Sequence, residues 1–147
     1  MAGEKGNNNS IGWLEMIFQA VQSADMVGLI RNDSAPLTNL YVSLHTADPT
    51  AAGDQTSNEA AYSGYMRVAV ARTTGGWSIS SETISNVAAI TFPISTSGPE
   101  SETYVGVGTA STGAGVLLWA GPLTSTLVVN NGITPAFAIG ALTITEG

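Results

Sequence analysis

Seven residues, Leu40 to Thr46, alternate without interruption between large apolar and polar or amphipathic side chains. On an extended chain Leu40, Val42 and Leu44 fall on one face, and Tyr41, Ser43 and His45 on the other. Asp48-Pro49 stops the strand, because proline has no N–H for a ladder and biases the residue before it. The same character recurs to the end of the chain. Candidate strands are 39–46, 65–73, 76–80, 84–94, 103–109, 115–120, 126–130 and 136–145. A spacing of roughly ten residues, with Gly, Pro, Asn and Ser between, is the pattern of a sandwich or jelly roll. Gly75-Gly76 and Asn130-Asn131-Gly132 read as hairpin turns, since these residues tolerate positive φ. The expected fold is all-β: a jelly-roll β-sandwich of about eight antiparallel strands, preceded by a helical arm.

The arm is read from a change of period. Before Pro36 the apolar residues recur at helical spacing: Trp13, Ile17, Ala20 and Ala24 on one line, with Leu14, Phe18 and Val21 beside it. A helix is expected over about 11–24, with Ser10 as its N-cap. Met26 to Ile30 extends it or adds a second turn, weakened by Gly28, and Asn32 to Pro36 ends the segment by turn chemistry. The glycine- and asparagine-rich lead, 1–9, is expected to be disordered. The division is then 1–9 lead, 10–38 helical arm and linker, and 39–147 β domain. The apolar stripe either covers an open face of the β domain or docks on a neighbouring subunit.

Charge limits the partners. Only 10% of the 147 residues are charged, against about 25% in an ordinary globular protein. The cations are Lys5, Arg31, Arg67 and Arg72, and the formal net charge is -7. Phosphate contacts need Lys and Arg, so no nucleic-acid partner is expected, and an anionic membrane surface is disfavoured. Sparse charge suggests a surface covered by protein partners, or a polar uncharged sandwich. There is no cysteine, which removes disulfides, thiolate metal sites and cysteine nucleophiles. No signal peptide and no membrane span are expected: Glu15 and Gln19 interrupt the apolar run, and its basic lead is Lys5 alone.

Few constellations suggest chemistry. His45 is the one histidine, with Asp48 three residues on, but no G-x-S-x-G elbow accompanies it. It is read as a structural, hydrogen-bonded residue. Asp48 to Glu59 has the EF-hand outline at its first, sixth and twelfth positions, yet Thr50 and Ala52 stand where oxygen ligands belong. No metal and no cofactor are expected. Gly106 to Gly115 is glycine-rich but is followed by a strand, so it reads as a hairpin or bulge and not a phosphate loop. Arg67 and Arg72 are five apart on one expected strand and so face opposite ways. They either pair with Glu59 or Asp48 or hold a carboxylate on a neighbour.

The chain from about Ile11 onward resembles small virion proteins of tailed phages. The residues that carry the resemblance are Leu40 to Pro49, Glu59, Tyr62, Gly64, Tyr65, Arg67, Ala69 to Arg72 and Gly76-Trp77. Phe92-Pro93, Gly106 to Gly115 and Leu142 to Glu146 add to it. Some such proteins are capsid cement, or decoration, proteins. The resemblance thus implies a non-catalytic virion protein, made in the host cytoplasm, that binds the capsid exterior and clamps junctions between major capsid subunits. Its partners would be the major capsid protein and itself, as a dimer or trimer. The candidate partner-binding residues are Trp13, Leu14, Ile17, Phe18, Val21, Arg67 and Arg72. A head- or tail-fibre component is the alternative. A carbohydrate-binding module is another, with Trp13, Trp77 and Trp119 for sugar stacking. Clustering of Trp77 and Trp119 in an exposed groove would favour the latter.

Overall fold

A computed structural model describes residues 7–20 and 37–145. Val21, the Met26–Ile30 turn and the Asn32–Pro36 turn lie outside the described residues, as does the lead before Asn7. The described chain is all-β apart from one N-terminal helical segment. Nine strands form three sheets: β1 (Asn39–His45), β2 (Val68–Ala71), β6 (Glu100–Gly108) and β7 (Leu117–Val129) in the first; β3 (Trp77–Ser80), β4 (Thr83–Asn86) and β9 (Thr143–Thr145) in the second; β5 (Ile90–Thr91) and β8 (Ala136–Phe137) in the third. The pairings β1–β6, β3–β4, β4–β9, β5–β8 and β6–β7 are all antiparallel.

Two compact units result, neither continuous in sequence. One gathers the described residues up to Thr38 with Ala71–Ala89 and the chain from Ala138; the other holds Asn39–Val70 and Ile90–Phe137. In the second unit the sheet order is β2-β1-β6-β7. β1 and β6 are central, and Val42 sits opposite Val107 and Leu44 opposite Val105. The expected alternation holds for direction but not for burial. Ser43 and His45, on the face away from Leu40, Val42 and Leu44, are fully buried too, as befits a strand covered on both sides.

Several expected strands divide or fuse. The run 84–94 is two strands in different sheets. Asn86 breaks it, because its amide nitrogen donates to the carbonyls of Ala88 (2.8 Å) and Ala138 (2.9 Å) while its oxygen accepts the Leu142 N–H (2.9 Å). The run 136–145 divides likewise around a turn in which Ala141 N–H bonds the Ala138 carbonyl. Conversely, 115–120 and 126–130 are one long strand, β7. Pro122 is tolerated inside it because β7 is the sheet edge and the register slips at that point, between Glu102 and Tyr104 of β6. Neither proposed hairpin turn is a hairpin. Gly75-Gly76 leads from β2 into another sheet, and so does Asn130-Asn131-Gly132 from β7. Gly106–Gly115 does sit in a hairpin, joining β6 to β7 with a register shift at Val107/Gly108.

The helix, α1 (Asn7–Leu14), continues as a π-helical turn over Glu15–Gln19 and stops at Ala20, in the left-handed region. It starts earlier than expected, so Asn7–Asn9 are helical and Ser10 lies inside the helix rather than capping it. It also ends earlier than residue 24. The cause is in its partners. Phe18 is buried edge-on against Trp77, ring centroids 4.9 Å apart. Gln19 donates to the Trp77 carbonyl at 2.9 Å. Arg72 gives three 2.6 Å bonds to the carbonyls of Met16, Ile17 and Leu37. A cation bonding the last orphan carbonyls is a helix stop in its own right.

Candidate functional site

Several of the residues that carry the sequence motifs meet in the second unit, around one ion pair. Arg67 lies just before β2, and its Nε and Nη2 grip the two oxygens of Glu59 at 2.6 and 2.7 Å. The pair is deeply placed, with side-chain exposures of 2% and 16%. The remaining donors reach the glycine-rich hairpin: Nη1 to the Ala110 carbonyl (2.9 Å) and Nη2 to the Gly113 carbonyl (2.8 Å). Hydrogen bonding to Glu59 holds the guanidinium still more firmly protonated than usual, although burial opposes this. Tyr65 joins the pair. Its hydroxyl donates to Glu59 at 3.0 Å and accepts the Leu44 N–H at 3.1 Å. Burial, and then the Glu59 carboxylate, push that phenol far above its ordinary value, so it stays a neutral donor.

A second tie binds the same hairpin. Gln55, fully buried, accepts the Ala110 N–H through its side-chain oxygen (2.8 Å), and its own N–H bonds the Ala114 carbonyl (2.9 Å). Its side chain occupies the space where a Cβ would stand at Gly108 or Gly115. This is why glycine is needed there. At Gly106 a Cβ would run into His45 and Ser43.

His45 is fully buried and fills both ring positions. Nδ1 lies 2.9 Å from the Ser57 carbonyl and Nε2 2.8 Å from the Ser43 hydroxyl. A carbonyl only accepts, so Nδ1 carries the proton and Nε2 accepts from Ser43. Burial lowers the imidazole's pKa despite the Ser57 bond, keeping it neutral. A serine donating to a histidine is half of a nucleophile–base pair. Here neither side chain has any exposure, and the histidine is oriented by a neutral carbonyl instead of a carboxylate.

The acids of 48–59 are used in turns. Asp48 accepts the Thr50 N–H (2.8 Å), and Asp54 accepts the N–H and hydroxyl of Thr56 (2.8 and 2.6 Å). The Thr56 bonds lower the Asp54 pKa. Among the described residues no group of three or more His, Cys, Asp or Glu side chains is placed to hold a metal ion.

The model of one family, the podophage GP4 fiber I protein gp80, matches residues 20–145. The chain belongs to this family. It is a phage virion structural protein, and the virion is its location. No curated protein matches it. The family match contains the whole Glu59–Arg67–Gln55 tie and all nine described strands, while α1 and its π-helical turn precede it. No described helix is long and apolar enough to cross a membrane.

The described residues singled out from sequence divide between the two units. Leu14 and Phe18 are fully buried, Ile17 is half-buried, and Trp13 is 39% exposed. Arg67 and Arg72 flank β2 instead of lying on it, and they bond Glu59 and the helix end respectively. Trp77 is buried in the first unit, while Trp119, half-buried in the second, lines a cleft of about 350 Å³ with Asp48, Thr50 and Gly53. A second cleft of about 350 Å³ opens over the ion pair, between Met66 and Ser111–Gly113. Gln55 and the buried Glu102 were not found from sequence. For Gln55 the available signal was its polar side chain in a loop matched by two glycines; for Glu102 there was none.

Proposed function

We propose that this protein is a non-catalytic building element of a phage fibre. It acts as a rigid β module joined to further copies of itself and to the virion, with no cofactor and no nucleic-acid or membrane partner. The observation that carries this reading is the match to a fiber-protein family across residues 20–145. The site geometry supports it. The Glu59, Arg67, Tyr65, His45 and Ser43 side chains are each hydrogen-bonded within the same unit, which favours shape over chemistry.

Capsid cement is the second reading, with the protein on the capsid exterior bound to the major capsid protein. Low charge content and the exposed Trp13 favour it. The docked helix speaks against an arm-based version, because Leu14 and Phe18 are already buried within the chain. Co-sedimentation separates the two. Purified protein is expected to stay in the supernatant with undecorated capsids and to pellet with virions lacking it. Saturable binding to undecorated capsids would replace the fibre reading with cement.

A further inference from the structure

Glu102 sits on β6 with no exposure, and neither of its carboxylate oxygens has a hydrogen-bond donor among the described residues. Glu100 lies two residues before it, so the two side chains leave the strand on the same face. Across the ladder stand Leu127 and Val129, and β7 carries no charged residue. From the 60–65 loop the facing titratable group is the Tyr62 phenol, which donates to the Pro93 carbonyl at 3.2 Å. Both described arginines are engaged elsewhere. Glu100 is the opposite case. Its Oε1 accepts the N–H groups of Ala61 (2.8 Å) and Tyr62 (3.0 Å), and so ties the loop to β6.

An ionised carboxylate in such a place has nothing to compensate its lost hydration. A protonated one has an O–H to donate, and the neighbouring carboxylate is the acceptor within reach. We propose that a protonated Glu102 donates to the Glu100 carboxylate, and that the two form a pH-sensitive latch that holds the 60–65 loop on β6. When the proton leaves to solvent, the buried Glu102 charge faces the like charge of half-buried Glu100, and the loop tie through Glu100 is strained. Burial, then the hydrogen bond with Glu100 and that residue's charge, push Glu102 up to about 8 from an ordinary 4.5. Tyr62 is pushed up to about 12, by burial first and then by the two carboxylates, so it stays neutral throughout.

The sign follows from linkage. A carboxyl whose folded pKa lies above its unfolded value stabilises the fold fully at acid pH. That stabilisation is lost as pH rises from the unfolded value through the folded one, here between about 4.5 and 8. The test is carbon-detected NMR titration of the glutamate carboxyls in the full chain, with amide exchange at Ala61 and Tyr62 in wild type and Glu102→Gln. The Glu102 carboxyl is expected to titrate near 8. The wild-type to E102Q exchange ratio at the two amides should rise several-fold as pH climbs from about 4.5 to 8, and level off above it. The melting temperature of E102Q, relative to wild type, should climb over the same range. A Glu102 carboxyl that titrates between 4 and 5 overturns the proposal, as does an exchange ratio that stays flat. If E102Q fails to fold, the wild-type titration alone decides.

Discussion

A methyl group at Gly108 has nowhere to go, because the Gln55 amide already fills the space. Gly108→Ala is therefore expected to destabilise by about 1–3 kcal/mol, as overpacking does. Gly75→Ala, whose Cβ would meet nothing closer than the Thr73 hydroxyl at 3.5 Å, should stay within about 0.5 kcal/mol. Chemical denaturation of both variants checks the contrast. Glu59→Gln leaves the Arg67 charge buried without its partner and is expected to cost about 3 kcal/mol or more. His45 gives a spectroscopic prediction. Its depressed pKa means that its stabilising contribution is present above the ordinary value of 6.5 and is lost as pH falls through the folded pKa. Nitrogen chemical shifts should show a neutral Nδ1–H ring at pH 6.5; a half-charged ring there would contradict the assignment. At this scale the sequence was informative about charge. With so few ions, Arg67 had few acids to choose from, and Glu59 was one of two named. It was uninformative about Gln55 and Glu102, because burial of a polar side chain depends on what the rest of the chain brings over it.

The helix shows what periodicity can and cannot reveal. The helical spacing marked an apolar stripe; Leu14 and Phe18 at its side are buried, Phe18 on Trp77, while Trp13 and Ala20 of its line are exposed. Where the helix stops was not legible, since the stop is made by Arg72, more than fifty residues away in sequence. Arg72→Ala should therefore loosen the helix end and cost about 1.5 kcal/mol or more, as the loss of charge-assisted hydrogen bonds does. Circular dichroism and denaturation together would register it. Removing residues 1–24 would also strip the cover from Trp77, so the truncated chain is expected to melt lower and to show a red-shifted tryptophan emission. Strand existence was read well and strand ends poorly, for comparable reasons. Asn86 ends β4 with a side chain whose partners lie at Ala88, Ala138 and Leu142. The expected strands 115–120 and 126–130 are one strand, β7, which runs through Pro122 because its edge position and the register slip absorb the proline.

At the scale of the whole molecule, the all-β class was legible because alternation and turn residues recur along the chain. The composition of the two units was not, since strands far apart in sequence, such as β4 and β9, pair within one of them. The family match gives the protein its place in the virion. The carboxylates of the 48–59 loop accept N–H, hydroxyl and guanidinium donors, so a chelator is expected to leave the melting temperature unchanged. A fall of many degrees would reveal a structural ion. The central claim, that this protein is a fibre element, is tested most directly by cryo-electron microscopy of the intact virion. Density that fits the β7 hairpin and its neighbouring strands is expected in a fibre, outside the shell lattice. The same density repeated at every junction between capsid subunits, and absent from the fibres, would contradict the account.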